Sequence, residues 1–308
     1  MSAVTADALV KTFESTVALD MVSFSVEKGE LFGFIGPDGG GKTTLFRILV
    51  SLLVADAGSA RVLGLDPVRD YRALRQRVGY MAGRFSLYPD LSVLENLTFF
   101  ASVFGTTIER EYEQIKPIYV QLEAFKDRRA GALSGGMKQK LALCCALVHR
   151  PDMLFLDEPT TGVDAVSRRE FWDLLGRLKE QGQTTVVSTP YMDEATRCDR
   201  VALMHRGRLL VVDTPDGVTR AFERPLLGVR AKERYKALLA LRKYEHAHSA
   251  YPFGEVIHYT DKRVDMPVEQ ISADVKAFLD GNGFADASVE PLTPTVEDSF
   301  IARTEEAA

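Results

Sequence analysis

The 308-residue chain is short of several things, and each shortage narrows what it can be. It has three cysteines, Cys144, Cys145 and Cys198, and no C-x-x-C pair. That fits a reducing compartment rather than a disulfide framework, with all three acting as small buried hydrophobes. No long hydrophobic run is present: Leu141 to Val148 is the longest, far short of the roughly 20 residues a membrane-crossing helix needs. The opening MSAVTADALVKTF has no apolar signal core. The expectation is a cytoplasmic protein whose membrane role depends on a partner chain. Positive charge is not in excess either, with Lys+Arg 38 against Asp+Glu 43 and a net charge of -5. No overall basic field therefore favours nucleic acid, and the cluster Arg72, Arg75 and Arg77 reads as a solvated helix face. Internal repeats and low-complexity stretches are missing as well. What remains is 46% hydrophobic residues, enough to bury the core of one large domain plus a smaller one.

Hydrophobic periodicity orders the chain. Up to about Met81 it reads as strands and one helix. Val17 to Val26 alternates as a half-buried strand does, and Leu31 to Ile35 is continuously apolar like a fully buried one. A glycine-rich turn follows, then helical spacing over Thr43 to Leu53. Tyr88 to Val148 is helical in pattern, Met153 to Leu156 is a second buried strand, and a helix near Ser167 to Gln181 precedes a strand at Thr184 to Ser188. Arg200 to Val212 reads as a hairpin turning at Arg206-Gly207. Near Arg224-Pro225 the character changes, so residues 1–222 and 223–308 are expected as separate domains. In the second, strands at Leu226 to Ala231, His246 to Tyr251, Glu255 to Thr260 and Ala287 to Glu290 alternate with helices at Lys232 to Arg242 and Val268 to Gly281. That order is a split β-α-β, or ferredoxin-like, α+β unit. A last helix is expected over Thr295 to Arg303.

Three motifs carry chemistry. Gly36-Pro37-Asp38-Gly39-Gly40-Gly41-Lys42-Thr43-Thr44 fits G-x-x-x-x-G-K-[ST] at every fixed position, between a predicted strand and a predicted helix. Its N–H groups and the following helix N-terminus point at phosphate. Lys42 would neutralise the β- and γ-phosphates, and the Thr43 hydroxyl would ligate Mg²⁺. Met153-Leu154-Phe155-Leu156-Asp157-Glu158 ends a buried strand in two carboxylates. Asp157 is placed to hold Mg²⁺ and Glu158 to deprotonate or orient an attacking water. Leu133-Ser134-Gly135-Gly136 opens a helix and offers a second anion site, although an ordinary helix cap fits that turn equally when it stands alone.

With these motifs in this order, Leu9 to about Gly217 resembles the ATP-binding-cassette (ABC) ATPase family. The carriers of the resemblance are its Walker A (Gly36 to Thr44), signature (Leu133 to Gly136), Walker B (Met153 to Glu158) and D-loop (Thr161-Gly162-Val163-Asp164). The resemblance implies an α/β P-loop fold with a RecA-like core, an antiparallel β subdomain and a helical subdomain, binding ATP and Mg²⁺. It implies head-to-tail pairing with a second cassette, in which Ser134, Gly135 and Gly136 touch the partner's ATP and Asp164 couples the two sites. It implies that Phe13 stacks on adenine, the alternative being a core phenylalanine, and that a transmembrane permease docks near the Tyr80 to Tyr88 loop, where Phe85 and Leu87 lie. The stretch Gly79 to Phe99 and the ending Pro294-Thr295-Val296-Glu297-Asp298-Ser299-Phe300 look like the drug-export (ABC-2 type) branch. Some members of that branch join two cassettes in one chain, and their first has Asp where most have Asn, as at Asp38. The implied place is the inner face of the cell membrane, reached through the permease.

Two departures from the family pattern stand out. Gly83 occupies the place of a glutamine that contacts Mg²⁺ and water, and Pro190 that of a histidine that donates to the γ-phosphate. Proline has no donor even on its backbone. The reading is an exporter ATPase with a degenerate hydrolytic site, and the alternative is a cassette that binds ATP as a regulatory element and barely hydrolyses it. A role on DNA or ribosomes would need a coiled-coil insertion, a basic linker or a dimerised chain with two cassettes; the roughly fifty residues between Gly83 and Ser134 leave room for a helical subdomain but not a coiled coil, and the acidic net charge argues against it. His246, His248 and His258 suggest a metal site by alternation. With no acid evident beside them, a solvated strand face is the better expectation.

Overall fold

The structure, a computed structural model, describes residues 2–83 and 87–306, the last by its backbone alone. It divides into two compact units, Met1–Pro215 and Asp216–Ala308. In the first, chain order runs β1 (Ser2–Phe13), β2 (Thr16–Glu27), β3 (Leu31–Ile35), α1 (Lys42–Leu49), β4 (Ala57–Val62), α2 (Tyr71–Arg77), β5 (Val78–Met81), α3 (Val93–Val103), α4 (Ile108–Glu123), α5 (Gly135–Leu147), β6 (Met153–Asp157), α6 (Ala165–Glu180), β7 (Thr184–Thr189), β8 (Arg200–His205) and β9 (Arg208–Asp213). The short α7 (Pro215–Arg220) spans the division, and the second unit contains β10 (Leu226–Arg230), α8 (Arg234–Leu241), β11 (Ala247–Phe253), β12 (Val256–Asp261), α9 (Val268–Gly281), β13 (Ser288–Pro291) and α10 (Val296–Glu306).

The central sheet has the order β5-β6-β7-β3-β8-β9, parallel except for β9. Strands β3, β6 and β7 are buried at every position, because both faces of such a sheet are covered, leaving no solvent side for alternation. A separate antiparallel sheet, β2-β1-β4, shows the expected alternation of buried and exposed positions. Between the two runs a chain of edge-to-face rings: Phe24 to Phe34 (4.9 Å), Phe34 to Phe46 (5.9 Å) and Phe46 to Phe155 (5.8 Å). Each such contact adds about 0.5–1.5 kcal/mol beyond area burial. The chain ties β2, β3, α1 and β6 together, and the glycine loop and the two carboxylates lie on or directly after these elements. Removing the Phe46 ring should cost about 3–5 kcal/mol.

In the first unit one boundary and one element differ from the sequence reading. Helix α1 stops at Leu49 rather than Leu53, because Ser51 takes a left-handed backbone (φ 64) that no helix continues through. A second helix, α2, precedes Met81 where one was expected. Helix α3 starts at a reciprocal cap: Glu95 N–H donates to Ser92 Oγ at 3.1 Å and Ser92 N–H to Glu95 Oε2 at 2.7 Å.

In the second unit the sheet order β11-β12-β10-β13, with every neighbouring pair antiparallel, is the ferredoxin-like arrangement. Helices α8 and α9 cover it with Leu238, Leu241, Ile271, Val275 and Leu279 against Ile257 and Tyr259. The expectation of a solvated histidine face fails at His258, which is buried; His246 is half-buried and His248 exposed. His258 Nδ1 donates to Asp298 Oδ1 at 2.5 Å, and Tyr251 OH donates to the same oxygen at 2.7 Å. The acid not evident in the sequence is supplied by α10, 40 positions away. Among the described residues no cluster of metal-ligating side chains occurs, and no helix is long and apolar enough to cross a membrane. All three cysteines are buried and free, and burial pushes their thiols well above the usual range.

Candidate nucleotide site

Four adjacent parallel strands, β5, β6, β7 and β3, end side by side. Gly83, Glu158, Pro190 and Gly36 lie at or just beyond those ends. In open parallel sheets, ligands bind at the carboxyl ends of the strands, so the topology gathers what the sequence scatters over 150 positions.

The loop after β3 is shaped for an anion. Gly41 caps α1 with φ 104, and a Cβ there would stand 2.4 Å from Ala18 O, so no other residue fits. No side chain caps this helix end and no acid stands in its first turn, which leaves its N–H groups for an external acceptor. Lys42 is buried; its Nζ donates to Gly36 O (2.7 Å) and Pro37 O (3.0 Å) and lies 3.2 Å from Glu158 Oε1. Asp38 and Gly39 are exposed at the loop tip, while Thr43 and Thr44 are half-buried.

Asp157, at 1% exposure, ends β6 in register with Ser188 of β7. Ser188 Oγ donates to Asp157 Oδ1 at 2.6 Å and accepts from Glu158 N–H at 3.0 Å; Ser188 O also accepts from Glu158 N–H, at 3.1 Å. Glu158 itself is held at φ 49, a left-handed backbone that costs a non-glycine residue on the order of 1–3 kcal/mol and recurs at functional sites. Ser188 was not singled out in the sequence; its place opposite Asp157 in a parallel pair is the signal that finds it. Tyr80, on the neighbouring β5, is pushed up to about 12 by burial and then by the Asp157 charge. An uncapped helix end, an ammonium and two hydroxyls suit a polyphosphate, and the oxygens of Thr43 and Asp157 suit a hard divalent cation.

Both departures face this edge. A Cβ added to Gly83 would lie 3.1 Å from Asp157 O and 3.6 Å from its Oδ2, so position 83 borders the carboxylate and offers it no side chain. Pro190 follows Thr189, whose carbonyl accepts from Gly36 N–H at 3.2 Å, which sets it beside the phosphate loop.

Phe13 is 46% exposed, with the Lys11 ammonium 5.5 Å from its ring centroid. It is therefore not a core residue. Ser134 and Gly135 are exposed at the start of α5, where Ser134 Oγ accepts from Met137 N–H at 3.4 Å. A Cβ on Gly136 would stand 2.6 Å from Ser167 Oγ, so that glycine is needed for α5 to approach α6. Asp164 caps α6, accepting from Ser167 N–H (3.0 Å) and Val166 N–H (3.1 Å), bonds that hold its carboxyl below the usual range. The signature residues thus cluster with the Gly162–Asp164 turn.

An apolar groove of about 390 Å³ opens beside β5, lined by Val78, Met81, Leu87, Phe100, Val103 and Phe104 among others. Phe104 stacks on His149 at 3.7 Å, and burial lowers the His149 pKa. Phe85 lies outside the described residues.

The chain is similar to known proteins in both sequence and fold. A sequence profile described as ABC transporter matches residues 19–161. The protein named "Probable multidrug ABC transporter ATP-binding protein YbhF" of Escherichia coli is 45% identical over 210 residues, covering 68% of this chain and 36% of that protein. The chain thus spans about a third of that relative's length. "Nod factor export ATP-binding protein I" of Burkholderia lata is 39% identical over 208 residues, covering 67% of this chain and 68% of that protein. Among solved structures, cbiO1 from Clostridium perfringens, part of the ABC transporter complex cbiONQ, is 26% identical with a TM-score of 0.64, covering 71% of this chain and 91% of its own. The ADP conformation of MJ1267, an ATP-binding cassette of an ABC transporter, is likewise 26% identical with a TM-score of 0.60, covering 69% and 91%.

Proposed function

Since the chain belongs to the ABC transporter family of ATP-binding cassettes, we propose that it is the ATP-binding and slowly hydrolysing subunit of an exporter, working against a second cassette and a membrane permease. The observation that carries this reading is the meeting of an uncapped glycine loop, Lys42, Asp157 and Glu158 on one edge of the parallel sheet. The names of the relatives, one a probable multidrug transporter and the other an export protein, support the exporter assignment.

In this reading the N–H groups at the tip of the glycine loop and in the first turn of α1 cradle the phosphates, Lys42 neutralises them, and Phe13 stacks on the base. Thr43 and Asp157 would hold Mg²⁺, which offsets charge on the phosphate oxygens when bound. Glu158 accepts the proton of the attacking water. Gly83 and Pro190 supply no donor to fix that water or the γ-phosphate. Binding is thereby kept while turnover falls, which also favours the regulatory alternative in the limit of very slow hydrolysis. Ser134, Gly135 and Gly136, exposed or packed at the head of α5, serve the ATP of the partner cassette. The pair then sits on the cytoplasmic face of the membrane through the permease.

The apolar groove beside β5 is where we place the permease, since it adjoins the Tyr80 to Tyr88 loop. Val103 lines it at 58% exposure, so charge there leaves the core untouched. Affinity capture from membranes with wild type and Val103→Asp tests the assignment. Wild type should retain a polytopic protein that Val103→Asp loses, and equal recovery would remove the groove from the interface.

A further inference from the structure

Strands β6 and β7 end beside each other, one leading into Glu158 and the other into Pro190. Glu194 sits between the two loops, on the 3-10 turn Met192–Arg197, at 4% exposure. Its carboxylate accepts from Thr160 Oγ1 at 2.9 Å (Oε1) and 3.1 Å (Oε2), and from Thr189 Oγ1 at 2.5 Å. Thr189 Oγ1 in turn accepts from Tyr191 N–H at 3.1 Å, so the backbone on both sides of Pro190 is tied down. Arg168 of α6 closes the arrangement. Its Nε lies 3.8 Å from Glu194 Oε1, its Nη2 donates to Asp193 Oδ2 at 3.1 Å, and its guanidinium stands 4.3 Å over the Tyr191 ring.

A buried carboxylate is costly unless it is paired and hydrogen-bonded, and the two hydroxyl donors to Glu194 come from the segment just beyond β6 and from the end of β7. Thr160 lies two residues beyond Glu158, whose left-handed backbone (φ 49) survives only where its surroundings over-determine it. Ser188 fixes Glu158 from the β7 side, and Glu194 fixes the same loop from Thr160.

We propose that Glu194 is a positioning residue for hydrolysis. Through Thr160 it holds the backbone that aims Glu158, and through Thr189 it holds the Pro190 loop, so that the two loops move as one. This rests on the reading of Glu158 as the base in ATP hydrolysis and deepens it. Glu194 itself touches no reacting atom; it links two loops at a place where proline offers no donor.

The test uses the full chain, with a second cassette added, as wild type, Glu194→Ala, Glu194→Gln, Thr160→Val, Thr189→Val, Glu194→Ala plus Thr160→Val, and Glu158→Gln. ATP affinity, single-turnover rate at saturating Mg-ATP, and amide hydrogen exchange without nucleotide are measured well below each variant's Tm. Affinity should stay within about threefold, under 1 kcal/mol. The rate in Glu194→Ala should fall about tenfold or more, since misplacement on the order of 1 Å costs up to about 10²-fold. Glu194→Gln, which keeps one oxygen for the hydroxyls, should lie between Glu194→Ala and wild type. Adding Thr160→Val to Glu194→Ala should cost little more than Glu194→Ala alone, as for residues acting as a unit. Exchange should rise together in 158–164 and 189–194, with α1 unchanged. The two threonine variants remove one hydroxyl at nearly constant shape and answer the same question if Glu194→Ala does not fold. An unchanged rate per bound ATP in the Glu194 and threonine variants, with Glu158→Gln slow, would overturn the clamp alone. Exchange that rises only in 189–194 would overturn it too. An unchanged rate in Glu158→Gln would instead strike the reading of Glu158 on which the proposal rests.

Discussion

Two sets of acids in the molecule serve opposite ends, one inside the second unit and one at the strand-end edge of the first. In the second unit Asp261 and Asp298 are fully buried and closed. Arg263 Nε and Nη2 donate to the two oxygens of Asp261 at 2.8 and 3.0 Å, with Tyr259 OH at 2.8 Å. Asp298 receives His258, Tyr251, and both the N–H and hydroxyl of Thr295. In the first unit Asp157 receives Ser188 on Oδ1, while its Oδ2 looks toward Gly83, and Glu158 leans on Lys42 from a strained backbone. An acid with every oxygen met by a donor fastens a fold. An acid left half-met, at the end of parallel strands and beside an uncapped glycine loop, is placed to bind something else.

Substitutions break or sharpen that contrast. The largest effect is expected from Lys42→Ala. Hydrogen bonds to charged groups are worth about 1.5–3 kcal/mol, so Mg-ATP affinity should fall roughly 10- to 100-fold with little loss of Tm. Equal affinities in a nucleotide titration would remove the phosphate cradle. Next is Asp298→Asn, which should do the reverse, costing stability and leaving ATP affinity alone. Burial raises the Asp298 carboxyl, but hydrogen bonds from His258, Thr295 and Tyr251 outweigh it and hold the group at about 2 rather than 3.8. That is worth about 2 kcal/mol. Because the folded pKa is depressed, the contribution is complete above the unfolded value and is lost as pH falls through the folded one. The stability gap between wild type and Asp298→Asn should therefore be full at pH 5 and shrink toward pH 2, as read by denaturant unfolding; a gap independent of pH would show that the bonds do not favour the charged form. The smallest effect is Phe13→Ala, about 1 kcal/mol of ATP affinity at this exposed position, with none for inorganic triphosphate. Equal losses for both ligands would mean that the ring does not stack on the base.

The same contrast explains what the sequence made legible. The glycine loop and the Asp157-Glu158 strand are local: a few consecutive residues carry the whole pattern, so strand, loop and helix were read at the positions where they fold. The ferredoxin-like order was likewise read from alternating periods, with shifts of a few residues at element ends. Contacts made across long separations were not readable. His258 looked like a surface histidine because its acid, Asp298, comes from a helix 40 positions on. Ser188 and Glu194 stood among ordinary strand and turn residues: only the parallel register of β6 and β7 gives Ser188 its partner, and only the folding of the 192–197 turn against Thr160 and Thr189 gives Glu194 its own. Gly136 was read for what it lends a partner cassette, while its need here is the close passage of Ser167. The end of α1 was missed because Ser51 turns left-handed without a glycine to announce it.

The account turns on positions 83 and 190, and single-turnover hydrolysis of bound Mg-ATP tests it most directly. Each missing positioned donor costs about 10²–10³ in rate, and two need not add. Wild type alone or with a second cassette should therefore hydrolyse its own bound ATP slowly. Gly83→Gln plus Pro190→His should accelerate that step by about tenfold or more without a matching change in affinity. Brisk hydrolysis by the wild-type chain alone, unchanged by the double substitution, would contradict the account.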